Sequence, residues 1–194
     1  MKYKQILFIL ICSCCIQGVA QAKYEREHRI KKSQFPEEAH ALLANEITKV
    51  KRLRFYKETD SAKTRFEAKF KKDRLHYSME FDSDGILEDV EILIKEIDIP
   101  NDTFTSIESY LNQSYSKYHI RKIQQLYPVK NREEVKKTLK EAFQNLLLPS
   151  VNYKLLVSCK TEDGKMDFEF LFDSAGTFKK KRALLPPNYD HVLY

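Results

Sequence analysis

Asp82-Ser83-Asp84-Gly85 is the tract whose residue types come nearest to a metal site in this chain. Two carboxylates one residue apart, followed by glycine, resemble the start of a calcium loop. Such a loop needs further oxygen ligands, ending in a bidentate glutamate at about position 12. Counted from Asp82, that position is Leu93. The tract returns as Asp173-Ser174-Ala175-Gly176, where alanine replaces the second carboxylate. The plainer reading is a hairpin turn, because Asp and Gly are what a tight backbone reversal takes. No metal ligand set is therefore assigned.

The other reactive side chains are scattered. The five histidines are His28, His40, His76, His119 and His191. No His-Glu-x-x-His, Cys-x-x-Cys, Gly-x-Ser-x-Gly or phosphate-binding glycine loop accompanies them. Cys159 closes an alternating run with Val151, Tyr153, Leu155 and Val157, which places it inside a sheet. The reading is a protein that is not an enzyme, with no catalytic residues, cofactor or metal. The alternative is a small-ligand carrier, or an enzyme with an unrecognised site between two structural units.

The elements that carry these residues come in two rounds. Phe35-Pro36 and Ile99-Pro100 each open a helical pattern. Pro36 suits the first helical position, and Glu37 and Glu38 favour the helix dipole; Asn101 or Asp102 can cap the second helix. Ala39, Leu42, Leu43 and Ile47 form one apolar stripe, and Phe104, Ile107, Leu111 and Tyr115 another. The helices are expected over residues 36–48 and 102–115. Alternating strands follow each one. Leu75, Tyr77, Met79 and Phe81 lead into the first Asp-Gly turn; Met166, Phe168, Phe170 and Phe172 lead into the second. The second round is longer, and the excess matches a polar connection plus a helix over residues 132–148, ended by Pro149.

One stripe per helix and one apolar face per strand imply an α+β fold: two tandem helix-then-antiparallel-strand units, with the helices packed on one face of the sheet. The opposite face is then free. Its candidates are Arg52, Arg54, Tyr56, Glu67, Lys69, His76, Ser78 and Glu80. Among them, Arg54, Tyr56, Lys69 and His76 are assigned as partner-binding, since Tyr and Arg dominate binding hot spots.

Residues 1–22 read as a secretory signal peptide: Lys2 and Lys4, an apolar run from Ile6 to Ile16, then Ala20-Gln21-Ala22. The run falls short of the roughly 20 apolar residues of a membrane span. Cleavage near Ala22 gives a soluble periplasmic protein; lipid anchoring through Cys14 is the competing address. Removing Lys2 and Lys4 lowers the formal net charge of +6 by two. Nucleic acid is not an expected partner. The run Lys179-Lys180-Lys181-Arg182 offers weak contact with an anionic surface, or simply a solvated strand edge. Residues 23–34 read as a flexible mature N-terminus, 35–98 and 99–184 as the two units, and 185–194 as a tail.

The order Phe35-Pro36-helix, strands, Phe81-Asp82-x-Asp84-Gly85, Ile99-Pro100-helix, Phe172-Asp173-x-x-Gly176 resembles the PepSY-like, beta-lactamase-inhibitor-like exported proteins of Bacteroidetes-type bacteria. The resemblance spans Phe35 to Arg182. It implies tandem helix-then-sheet units, residence in the periplasm or envelope, and a non-catalytic, monomeric module. Such a module binds or inhibits an envelope or secreted protein through its sheet. The helix over 132–148 stands as an insertion, and the chain has no Trp where strands of that family are often rich in it.

Overall fold

The computed structural model describes residues 22–23, 26–59 and 63–184. The leader through residue 21, its Cys14 and the tail 185–194 lie outside them. Ten strands form one sheet: β1 (Ala22–Lys23), β2 (Arg26–Ile30), β3 (Lys51–Thr59), β4 (Thr64–Lys72), β5 (Leu75–Phe81), β6 (Leu87–Ile94), β7 (Tyr118–Pro128), β8 (Asn152–Thr161), β9 (Gly164–Asp173) and β10 (Phe178–Leu184). The spatial order is β1-β10-β9-β8-β7-β6-β5-β4-β3-β2. Neighbours are antiparallel, except for the short parallel pairing of β1 on β10. Among the described residues three helices complete the α+β fold: α1 (Glu37–Glu46), α2 (Asn101–Ser114) and α3 (Val135–Phe143).

The register sorts the side chains. Phe70, Tyr77, Ile92, Gln125, Tyr153 and Phe172 face one another in succession from β4 to β9, so they share one face. Each helix touches that face. Phe35, just before α1, sits 5.5 Å from the Phe81 ring and 4.7 Å from Phe55. Tyr110 of α2 stacks on Phe178 at 4.5 Å and meets Phe172 at 5.5 Å. Phe143 of α3 meets Tyr77 edge-on at 5.5 Å. Ala39, Met79, Phe81, Ile107, Leu111, Phe170 and Phe172 are sealed from solvent in this core. Cys159 is buried there too, as its alternating run required, and burial pushes its thiol up to about 11.

The two Asp-Gly tracts fold alike. Asp82 Oδ1 accepts from the backbone N–H of Asp84 and Ile86, both at 2.9 Å. Asp173 Oδ1 accepts from Ala175 at 3.0 Å and Thr177 at 2.9 Å. These carboxylates hold backbone donors, the usual Asx-turn role. Gly85 and Gly176 have φ of 84° and 81°, a region open to glycine. A Cβ at Gly85 would lie 2.8 Å from Pro36 Cβ, and one at Gly176 would run into the Thr103 carbonyl. Each turn thus lies under the first turn of a helix, and only glycine lets it approach.

Three expectations need correction. Residues 23–34 are not merely a loose terminus: β2 pairs with β3 from Arg26↔Thr59 to Ile30↔Phe55, and a 3-10 turn spans Lys32–Gln34. An edge strand buries little, so it carries no apolar alternation for sequence to show. Only Ile30 packs against the core, while Glu27, His28 and Arg29 are exposed. The second helix starts one residue earlier than expected, with Pro100 at the cap position. The inserted helix ends at Phe143, well before Pro149. Asn145 adopts φ 50°, and Leu146 N–H donates to the Glu141 carbonyl at 3.1 Å. That is a Schellman stop, which asparagine tolerates at the left-handed position. Leu146 and Leu147 are left exposed.

Candidate functional site on the open sheet face

The face without helices carries the even-numbered residues of β5 and β8 and their partners across the register. Arg54↔Lys69↔Ser78↔Glu91 runs across β3 to β6. Leu93↔Gln124↔Lys154↔Leu171 continues from β6 to β9.

Arg54, Tyr56, Lys69 and His76 come together here. All four line a recess of about 300 Å³, with Arg52, Lys71, Leu93 and Lys122. Arg54 and His76 are exposed; Tyr56 and Lys69 are half-buried. The Lys69 ammonium lies 4.5 Å from the centre of the Tyr56 ring. It also pairs with Glu67 at 2.9 Å and Glu27 at 2.6 Å. Burial opposes its charge, but the two glutamates outweigh burial and hold its pKa above the ordinary lysine value. Lys69 is therefore an anchored cation that fixes the Tyr56 ring, while Arg54 is exposed with no ion-pair partner among the described residues.

Two other candidates are not free. Glu67 is 9% exposed and Ser78 6%. The Ser78 hydroxyl donates to Glu67, which also takes Lys69. Together they brace the floor of the recess.

Further along the same face lies a group that sequence reasoning missed. Lys154 of β8 pairs with Glu80 at 3.1 Å and with Glu91. Gln124 donates to the other Glu91 oxygen. Asp89 stands directly across from Glu80, and oxygens of Glu80, Asp89 and Glu91 lie within 4.8 Å of one another. Asp89 Oδ1 is buried with no hydrogen-bond partner among the described residues. Burial and the neighbouring carboxylates Glu80 and Glu91 push the Asp89 pKa well up. Burial also raises Glu91, to about 7, against the opposing pull of Lys154. For Lys154 the carboxylates outweigh burial and raise its pKa. The available hint was Asp89 and Glu91 at alternate positions of a strand whose remaining residues, Glu88 apart, are apolar. Only the register reveals that Glu80 and Lys154 meet them.

These oxygens are the right type for a hard cation. However, the Lys154 ammonium already sits among them, so the positive charge they need is supplied by the chain. The cluster acts as a buried tie through β5, β6 and β8.

No family model and no curated protein matches the chain. Solved structures do. One is a candidate periplasmic protein from Bacteroides eggerthii, 11% identical, with a TM-score of 0.51 over 77% of this chain and 88% of that one. A second is a DUF2874 family protein from Bacteroides uniformis, 11% identical, with a TM-score of 0.51 over 76% of this chain and 88% of that one. The chain shares the fold of these structures. A BLIP-like protein from Bacteroides fragilis, 15% identical, matches 82% of this chain and 92% of its own at a looser TM-score of 0.45. The likeness to the first two places the large antiparallel sheet and its helices within an architecture seen in proteins from Bacteroides. No helix among the described residues is long and apolar enough to cross a membrane.

Proposed function

We propose that this is an exported, non-catalytic module that binds or inhibits an envelope or secreted protein through the sheet face opposite its helices. In this reading the chain is two tandem units, 35–98 and 99–184. Their helices occupy one face, and α3 is an insertion in the second unit. The matched turns under α1 and α2 support that division. The periplasmic description of the first structural neighbour supports the address, with the leader removed near Ala22 and the mature protein soluble and monomeric.

The observation that carries the reading is that Arg54, Tyr56, Lys69 and His76 line one recess on the face the helices leave open. An anchored aromatic ring with an unpaired arginine beside it is the composition of a binding hot spot. The test is affinity capture from envelope extract with the mature protein as bait. Arg54→Ala with Tyr56→Ala should leave the thermal melt nearly unchanged and weaken capture. If capture survives these changes and is lost on Lys136→Ala with Lys140→Ala in α3, the insertion is the interface and the sheet reading falls.

One observation favours the carrier or enzyme alternative: buried, pKa-shifted carboxyls at Asp89 and Glu91 are the kind of group active sites use. Neither lines the recess at Arg54 or the larger one beside it, so no substrate path reaches them from there.

A further inference from the structure

The recess around Arg54 does not stop at His76. A second hollow of about 670 Å³ runs from the ends of β5, β6 and β7 to the 3-10 turn Glu96–Asp98. The two share His76, Leu93 and Lys122, and so form one trough. Its walls hold eight Lys or Arg against three Asp or Glu, a far stronger bias than that of the whole chain.

Two of the three acids are already engaged, and Glu96 is exposed. Glu67 is buried against Ser78 and Lys69. The Asp98 carboxylate accepts the Lys95 backbone N–H at 2.8 Å, and Glu96 opens the same short turn. Most of the bases are not. Lys69 pairs with Glu67 and Glu27, and Arg121 with Asp167. Arg52, Arg54, Lys71, Arg74 and Lys122 have no acidic partner among the described residues.

Backbone irregularities aim several of these cations. The β3–β4 register shifts between Lys51 and Arg54, and Arg52 takes φ 59°, a left-handed value costly for arginine. The β7–β8 register shifts between Ile120 and Lys122, which brings Arg121 and Lys122 to the open face together. Bulges of this kind re-aim side chains at functional edges. Between the cations lie two exposed aliphatic side chains, Leu93 at 43% and Ile97 at 89%.

We infer that this trough receives an acidic protein segment carrying an aliphatic anchor: carboxylates for Arg52, Arg54 and Lys122, and an apolar side chain for Leu93 and Ile97. The inference rests on the sheet-face reading above and names the partner's chemistry. A recess with aliphatic spots fits a folded or extended peptide better than a flat lipid surface. A nucleic-acid strand would want several aromatic platforms for its bases; of the two rings in the trough walls that are not buried, Tyr56 lies beneath Lys69 and His76 stands alone.

The test is selection of a random displayed peptide library on the full mature chain. The expected pool is several-fold enriched in Asp and Glu over Lys and Arg, with at least one aliphatic residue. Its members should bind about tenfold more weakly in high salt, as exposed charge pairs do when screened. Arg54→Glu with Lys122→Glu should abolish their binding; Leu93→Ser should weaken it. Lys136→Glu with Lys140→Glu, exposed on α3, should change nothing. Thermal melts establish that each variant folds. A neutral or basic pool, no enrichment, or acidic peptides indifferent to the reversal would overturn the inference. So would trough-dependent sedimentation with phosphatidylglycerol vesicles without peptide enrichment. A neutral pool still lost on Arg54→Ala with Tyr56→Ala would overturn the acidic partner alone and leave the sheet-face reading standing.

Discussion

Lys154 is held on the open face by Glu80 and Glu91, with Asp89 close by and unpaired at one oxygen. Removing the ammonium leaves charged carboxylates buried together. Lys154→Met should therefore cost about 3–5 kcal/mol near neutral pH, and less in acid, where the carboxyls are protonated. The same group sets a pH dependence. Asp89 and Glu91 have folded pKa values raised above their unfolded ones, Glu91 from 4.5 to about 7. Raised groups contribute stability that is complete below the unfolded value and lost as pH rises through the folded one. Denaturant titrations should show the Glu91 contribution falling between about pH 4.5 and 7, with Asp89 adding a loss that begins above the ordinary carboxylate range. Glu91→Gln should flatten that slope; an unchanged slope would assign it elsewhere. In the core, Phe81 and Phe172 are fully buried and precede matched turns. Phe→Ala at either should cost about 3–5 kcal/mol by chemical denaturation.

At the scale of elements, the turn geometry makes a sharper claim. Gly176→Ala should destabilise the protein more than an ordinary strained glycine, because the new Cβ would meet Thr103 and Ser106 of α2. Gly164→Ala is the control. Its φ of 114° is also left-handed, yet nothing lies within 4 Å of a Cβ there. The difference between the two in thermal melting isolates the turn–helix contact. These elements were the legible ones. Alternation at Leu75–Phe81 and Met166–Phe172 gave their strands, and the proline marks gave α1 and α2. What escaped had physical reasons. β2 lies at an edge and buries almost nothing, so its composition is that of a loop. The end of α3 is set by a left-handed Asn145 rather than by the proline further on. The acid–lysine tie joins residues from β5, β6 and β8, and no local pattern encodes which strands become neighbours.

For the whole molecule, the sheet separates two tasks. One face takes the apolar stripes of three helices and makes the core. The other holds buried polar ties among its strands and a basic trough at one end. That Arg54, Tyr56, Lys69 and His76 share a face was legible because strand alternation reveals which side chains lie together. Their gathering into one recess also needed the register of β3 to β5, and the trough needed two bulges that sequence does not announce. Which face meets the partner is therefore the deciding question. A photo-crosslinking amino acid placed at Tyr56, and separately at Lys136 on α3, would test this directly in the producing cell. The account expects a covalent adduct with one envelope or secreted protein from position 56 and none from position 136. An adduct from position 136 alone would contradict it.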